Sequence, residues 1–263
     1  MIKKKIDFSK FSSIKIGGIY DVTMIESIKE CQSKEFKESY LIGSCNNILI
    51  GNNPPPLVKL SKKFDYIKII NNTLIVGAAT PSGKIASFCK KNNIANFEFL
   101  SHLPGTLGGL VFMNAGLKEY EIFNNLLSIT TCDTTLLKDN IKYGYRYTNI
   151  NSIIFEASFE VKRGFDDAKV EIFKMMRANQ PSTSSAGSCF KNPKGDYAGR
   201  LIEIVGLKGK RVGDMEFSTK HANFLVNHGN GNYDDAKRLI DDAKSLVKKE
   251  FGIELELEIK ILN

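Results

Sequence analysis

Leu103 to Gly109 reads L-P-G-T-L-G-G, and three glycines this close together let successive backbone amides turn toward one point. A diphosphate is the natural guest for such a nest. The stretch is not G-x-G-x-x-G behind a Rossmann strand, and the chain holds no P-loop G-K-[ST], so the two commonest nucleotide-binding folds are disfavoured.

Short apolar runs alternate with turns along the first segment: Tyr20 to Ile25 and Tyr40 to Ile42 read as strands, and the second feeds Gly43-Ser44-Cys45-Asn46-Asn47. A strand running into small and amide residues offers several N–H groups to one anion, although a plain turn would read the same way. Asn52-Asn53-Pro54-Pro55-Pro56 marks a surface connection, because prolines cannot join a sheet interior. Leu74 to Ala79 predicts a strand, with Thr80 as N-cap and Pro81 at the first position of a helix reaching Asn92. From Leu126 to Val161 the pattern is β-rich, with a hairpin expected across Lys138-Asp139-Asn140 and alternation at Phe155, Ala157, Phe159 and Val161. Asp166 to Ala178 predicts a helix packing Ile172, Phe173, Met175 and Met176.

The second unusual stretch is Ser184 to Pro193, S-S-A-G-S-C-F-K-N-P. Gly187 permits a positive φ or a close backbone approach, so the Ser188 hydroxyl can be presented at a cavity floor as a proton donor. Lys191 and Asn192 follow with a mobile cation and a donor–acceptor amide, which suits a phosphorylated or sugar-bearing ligand; the alternative is a Ser/Gly loop with a Pro stop. Asp196 is placed to cap a helix carrying Ala198, Leu201, Ile202 and Val205, with Gly206 ending it. His221 and Asn223 stand at the start of a strand, His221 either hydrogen-bonded within the fold or in a site. Asn232 caps an amphipathic helix ending near Gly252. A last strand then alternates Ile253, Leu255, Leu257, Ile259 and Ile261 with Glu254, Glu256, Glu258 and Lys260, so its carboxylates share one face.

At 263 residues the chain can bury a sizeable core and divide into two or three packed domains. Its net charge of +8 fits nucleic acid or an acidic small substrate, but the lysines lie in short scattered groups and no nucleic-acid-binding signature is present. Five cysteines without a C-x-x-C pair read as reduced thiols, and the three histidines show no metal-ligand spacing. The basic N-terminus leads into no apolar run and nothing later is long enough to span a bilayer, so a cytoplasmic, membrane-free protein is expected.

The Leu103–Gly116 stretch, L-P-G-T-L-G-G-L-V-F-M-N-A-G, together with S-A-G-S-x-F-K-N-P, resembles the UDP-N-acetylenolpyruvoylglucosamine reductase (MurB) family. In the family's order follow K-I-G-G at 15–18, Tyr145-Arg146, A-G-R-L-I-E at 198–203, G-L-K-G at 206–209 and H-A-N-F-L-V-N at 221–227, so the resemblance covers nearly the whole chain. It implies an α+β fold: a two-subdomain FAD-binding module of the PCMH/VAO type plus a C-terminal α+β substrate-binding domain. The implied division is 1–60 with the returning strand 253–263, then 61–178, then 179–252 for the UDP sugar. FAD would contact Gly43, Ser44, Asn46, Asn47, Pro104, Gly105, Thr106, Gly108, Gly109, Asn114, Ala115 and Gly116. Cys45 and Asn46 stand where the family usually has Gly and Ser, and Leu117-Lys118-Glu119 replaces its frequent aromatic-Gly continuation.

The resemblance also implies the chemistry: NADPH reduces the flavin, and the flavin's hydride reduces the enolpyruvyl group of UDP-N-acetylglucosamine enolpyruvate to give UDP-N-acetylmuramate. Arg146, which on spacing alone could equally stack on a surface between its aromatic neighbours, would grip the substrate carboxylate and the enolate charge. Glu258, or Glu256 if the register slips by one pair, would polarise or protonate the same centre. Ser188 would deliver a proton to the α-carbon. Tyr145, Lys191, Asn192 and His221 are implied on the substrate side. The competing classes are a flavin oxidase of the same broad fold and a colourless nucleic-acid or scaffold protein.

Overall fold

The computed structural model describes residues 2–32, 36 and 38–263. The described residues form two compact units, one of Met1–Lys4, Val22–Gly43 and Pro56–Ala178, the other of Lys5–Asp21, Ser44–Pro55 and Asn179–Asn263.

In the first unit an antiparallel sheet runs Thr135–Leu137, Leu126–Thr131, Ile154–Glu160, Thr73–Gly77, Ile67–Ile70 in spatial order. Ala157 sits opposite both Val76 and Ile129, and the period of two sends Phe155, Ala157 and Phe159 into the core while Glu160 stays exposed. Ile85, Ala86 and Cys89 of the helix Ser82–Lys91, and Leu107, Leu110 and Val111 of the helix Leu107–Phe112, join the same core. A smaller parallel set places Leu57–Leu60 between the strand Ile19–Ile25, paired from Val22 onward, and Tyr40–Ile42.

Four expectations change here. Pro81 is the N-cap of the helix beginning at Ser82, because the Thr80 hydroxyl donates instead to the Tyr66 carbonyl at 3.1 Å. The hairpin turns at 132–134, closed by Thr131, whose hydroxyl donates to Thr134 O and accepts its N–H; Lys138–Asn140 is a separate 3₁₀ turn. On the helix Asp167–Met176 only Phe173 is fully buried, and Met175 is 66% exposed. Cys31 and Cys132, expected as free thiols, form a disulfide with Cα atoms 6.2 Å apart; 101 residues separate them in sequence, so only the fold pairs them. Cys45, Cys89 and Cys189 are buried and take part in no disulfide among the described residues.

The second unit holds an antiparallel sheet in the order Ser184–Ser188, Phe224–Asn227, Met215–Phe217, Arg211–Val212. Its long helix Tyr233–Phe251 starts at Asn232, whose side chain accepts the Asp235 N–H, and stops at Gly252 with φ 68°. Ala236, Leu239, Ile240, Ala243 and Val247 of that helix pack with Leu201 and Ile202 from the helix Ala198–Ile204 and with Met215, Phe217 and Leu225 from the sheet.

The last strand is shorter than its alternation predicts. Only Lys260–Leu262 forms one, parallel to Ile48–Ile50. Upstream, the Lys191 N–H donates to Glu256 O, the Glu258 N–H donates to Cys189 O, and Leu257 bridges Phe190. Changing partner between residues 258 and 260 breaks the ladder that an uninterrupted strand needs.

Candidate active site

The first unit builds a cradle from backbone and small residues. Gly105, at φ 155°, turns the chain after Pro104; its carbonyl accepts the Ser82 N–H, and Thr106 bridges Pro81. Gly108 lets the next helix lie against the sheet end, since a Cβ there would stand 3.1 Å from the Ala78 Cβ. The amides of Leu107 and Gly108 donate to the Thr80 and Ala78 carbonyls, so these two of the expected nest donors are spent within the fold. Gly43 meets the same turn: a Cβ on it would lie 2.6 Å from the Thr106 hydroxyl. The Lys59 ammonium donates to the Gly43 carbonyl at 2.6 Å from the middle of the strand Leu57–Leu60. Close backbone approach with a lysine beside it fits an anionic dinucleotide.

Two further motifs meet in this unit. Tyr145 and Arg146 form the tip of a hairpin whose strands pair Tyr143 with Thr148 and Gly144 with Tyr147, and Arg146 takes φ 54°. That left-handed conformation costs a non-glycine residue about 1–2 kcal/mol. The guanidinium lies 5.2 Å from the Tyr145 ring centroid and donates to the Gly116 carbonyl at 3.2 Å. Buried Asn114 donates to Glu121 and to the Gly144 carbonyl, and accepts the Phe123 N–H, tying the N-A-G turn to the base of the same hairpin.

In the second unit the strand Ser184–Ser188 carries a bulge. Ser185 faces Val226 and Ser188 faces Phe224, three steps against two, and the irregularity contains Gly187 at φ 79°. A bulge re-aims the residue that follows it. Ser188 lines a cavity of 340 Å³ together with Asn192, Tyr197, Gly199, Arg200 and His221. Glu203, Lys208, Lys220 and Asn223 complete the charged and amide wall.

Asn223 holds this edge. Its side chain accepts the Phe190 N–H at 2.9 Å and donates to Phe190 O at 2.8 Å, while its own carbonyl accepts the Cys189 N–H at 2.7 Å. The helix Ala198–Ile204 has Tyr197 as its N-cap, not the expected Asp196, and no N-cap side chain closes it; Asn192 accepts the Ala198 N–H at 3.1 Å, and Asp196 accepts that of Tyr197. The Arg200 hydrogen bond holds the Asp196 carboxyl down at about 2. His221 Nδ1 accepts the Asn223 N–H at 3.2 Å, and burial pushes the imidazole below the usual histidine range. Burial also raises the Cys189 thiol, which therefore stays protonated.

The 44–47 loop belongs to the same unit. Asn46 donates to Ser44 Oγ at 2.9 Å, and Asn47 donates to the Glu258 carbonyl at 2.9 Å. Cys45 adopts φ 53°, the conformation that the family's usual glycine takes up without strain. Of the two candidate carboxylates, Glu256 is exposed and in an ion pair with Lys191, which does not line the cavity; Glu258 is half-buried.

Residues 180–262 match the family model of the UDP-N-acetylenolpyruvoylglucosamine reductase C-terminal domain. Over nearly its whole length the chain is 45% identical to UDP-N-acetylenolpyruvoylglucosamine reductase of Campylobacter jejuni strain RM1221, covering 98% of this chain and 99% of that one. The corresponding reductase of Helicobacter pylori strain J99 is 43% identical with both chains fully covered. The chain belongs to this reductase family. The crystal structure of UDP-N-acetylenolpyruvylglucosamine reductase (MurB) from Thermus caldophilus superposes with a TM-score of 0.87 at 26% identity, again over both whole chains.

The fold is accordingly the MurB fold, a mixed α+β FAD-binding module with the MurB C-terminal domain, and the protein is an oxidoreductase of peptidoglycan precursor synthesis. A flavin cofactor follows from membership. Among the described residues no group of three or more His, Cys, Asp or Glu could hold a metal ion, and no helix is long and apolar enough to cross a membrane.

Sequence reasoning gave no role to Lys59, Asn223, Tyr197, Arg200, Glu203, Lys208 or Lys220. A lysine interrupting the apolar run Leu57-Val58-Leu60 was the available signal for the first. Arg200, Glu203 and Lys208 lie inside the family motifs A-G-R-L-I-E and G-L-K-G, yet nothing in those motifs says that they face the Ser188 cavity.

Proposed function

We propose that this reductase binds FAD, takes its electrons from NADPH, and turns UDP-N-acetylglucosamine enolpyruvate into UDP-N-acetylmuramate in the cytoplasm. Residues 1–60 with 253–263, and 61–178, act as the two FAD subdomains, and 179–252 as the UDP-sugar domain. Gly43, Ser44, Asn46 and Asn47, the turn Pro104, Gly105, Thr106, Gly108 and Gly109, and the turn Asn114, Ala115 and Gly116 serve the cofactor. Asn114 acts by holding its turn rather than by contact, because its amide is already engaged.

Reduced FAD, when bound, supplies hydride to the β-carbon of the enol ether. Negative charge then develops on the α-carbon and its carboxylate, and Arg146 holds it, being permanently cationic and fixed by Gly116. Glu258 polarises the same centre; Glu256 is the weaker candidate because it is exposed to solvent. Ser188 donates its proton to the α-carbon. Tyr145, Lys191, Asn192 and His221 orient the substrate, Lys191 by exchanging Glu256 for a ligand anion.

The observation that carries this reading is the bulge at Gly187, which presents a hydroxyl to a polar cavity beside Asn192 and His221. Anaerobic stopped-flow tests it. Ser188→Ala is expected to keep flavin reduction by NADPH and to slow flavin reoxidation by the enolpyruvyl substrate by roughly 10²–10⁴. Equal losses in both half-reactions would remove Ser188 from the proton-donor role.

A further inference from the structure

Glu258 sits where the chain changes partner, and one residue of the 44–47 loop holds it there. The Glu258 carbonyl accepts the Asn47 side-chain amide at 2.9 Å, and two residues on, the Lys260 N–H donates to the Asn47 carbonyl, also at 2.9 Å. Asn47 thus grips residues 258–260 by side chain and main chain together, at the step where bonding to Cys189 ends and the parallel pairing with Ile48–Ile50 begins. On the other flank the Glu258 N–H donates to the Cys189 carbonyl at 2.9 Å, and the Ile259 N–H reaches the same oxygen at 3.4 Å. Both backbone polar groups of Glu258 are therefore engaged. Fixing the two peptide planes fixes the direction in which the side chain leaves the backbone.

The same frame holds Ser188. Cys189, the next residue, donates its N–H to the Asn223 carbonyl at 2.7 Å while its own carbonyl takes that of Glu258, so one residue spans the hydroxyl and the carboxylate. The loop that supplies Asn47 is itself seated. Cys45 O accepts both the N–H and the hydroxyl of Ser13 at 3.2 Å, and a Cβ on Gly187 would stand 3.9 Å from the Asn46 carbonyl. The 44–47 turn therefore lies against the bulge that presents Ser188.

Resting on the reading of Glu258 as the group that polarises the substrate's reacting centre, we infer that Asn47 is a positioning residue for that reaction, its amide setting the angle of Glu258 relative to Ser188. This role is separate from contact with the cofactor. An amide is required because the group facing it is a carbonyl, which can only accept; a carboxylate of the same shape would set lone pairs against lone pairs.

A double-mutant cycle on the flavin-loaded protein, read by anaerobic stopped-flow, tests it. Asn47→Asp keeps the shape and loses the N–H donor. In the parent background it should slow flavin reoxidation by the enolpyruvyl substrate roughly tenfold to a hundredfold, the cost of a displacement of about 1 Å at a reacting group. In a Glu258→Gln background, already slow, the same substitution should cost little, because the group it orients is gone. Flavin reduction by NADPH and FAD affinity by fluorescence titration should show no such coupling: whatever Asn47→Asp costs them, it costs equally in both backgrounds. Asn47→Ala, with melting and flavin content checked, should repeat the cycle. Lowering the pH should restore part of the reoxidation rate in Asn47→Asp, whose protonated carboxyl can donate to the Glu258 carbonyl, and none in Asn47→Ala.

The same fold loss of reoxidation in both backgrounds overturns the inference and leaves the reading of Glu258 standing. Reoxidation at the parent rate in Glu258→Gln alone overturns that reading instead. An equal recovery at low pH in Asn47→Asp and Asn47→Ala removes the hydrogen bond as the cause.

Discussion

The cradle of the first unit and the cavity of the second, each proposed to hold an anionic ligand, are built from opposite materials. Around Gly43 and Pro104–Gly109 the chain uses turns and close backbone approach, with a single lysine behind them. Around Ser188 it uses side chains: three cations, a carboxylate, an imidazole, two amides, a serine hydroxyl and a tyrosine phenol. A backbone cradle presents one fixed surface, which suits a resident group. A side-chain wall can exchange its ion pairs, which suits ligands that come and go.

Asn223→Ala should break the cavity side hardest. It removes two hydrogen bonds to Phe190 and leaves a buried N–H and C=O without partners, at about 1–3 kcal/mol each. A urea titration should show a stability loss of about 2–5 kcal/mol. A loss below about 1 kcal/mol would mean that the Ser188 edge holds its shape without this clamp.

On the cradle side, Gly43→Val drives a branched side chain toward the Thr106 hydroxyl, 2.6 Å from where its Cβ must sit. Overpacking of this kind costs about 1–3 kcal/mol, and it falls where the cofactor is proposed to lie. Purified Gly43→Val should be colourless or should take up added FAD at least tenfold more weakly by fluorescence titration. A fully yellow variant would show that the cradle tolerates a side chain and does not depend on close backbone approach.

The smallest effect concerns His221. Burial lowers its native pKa, so as pH falls through the ordinary 6.5 the unfolded chain gains a proton before the native one does. This part of the stability is present above the unfolded value and drains away as pH falls toward the native value. Urea midpoints at about pH 7 and about pH 5.5 should therefore converge slightly in His221→Gln relative to the parent protein. An unchanged difference would place the acid sensitivity elsewhere.

Much of both units is legible in the sequence because its signals are local. Alternation at Phe155, Ala157 and Phe159 marks a strand whichever strand it pairs with, and the Asn232 cap and Gly252 stop bound a helix with no help from distant residues. The structure departs from the local signals where a distant partner decides the outcome. Thr80 is a good cap in isolation, but Tyr66 offers its hydroxyl a carbonyl. The final strand alternates along nine residues, yet it serves Phe190 first and Ile48–Ile50 afterwards.

The sequence alone determined the family, the reaction class and the glycine positions, since a glycine-rich turn or a helix cap is written in neighbouring residues and in the φ angles they permit. Only the tertiary structure decided that Lys59 reaches Gly43, that Arg146 is fixed by Gly116, and that Lys208, Lys220 and His221 share a cavity with Ser188. Those facts depend on closing long loops and on competition between partners, and a short window of residues holds neither quantity.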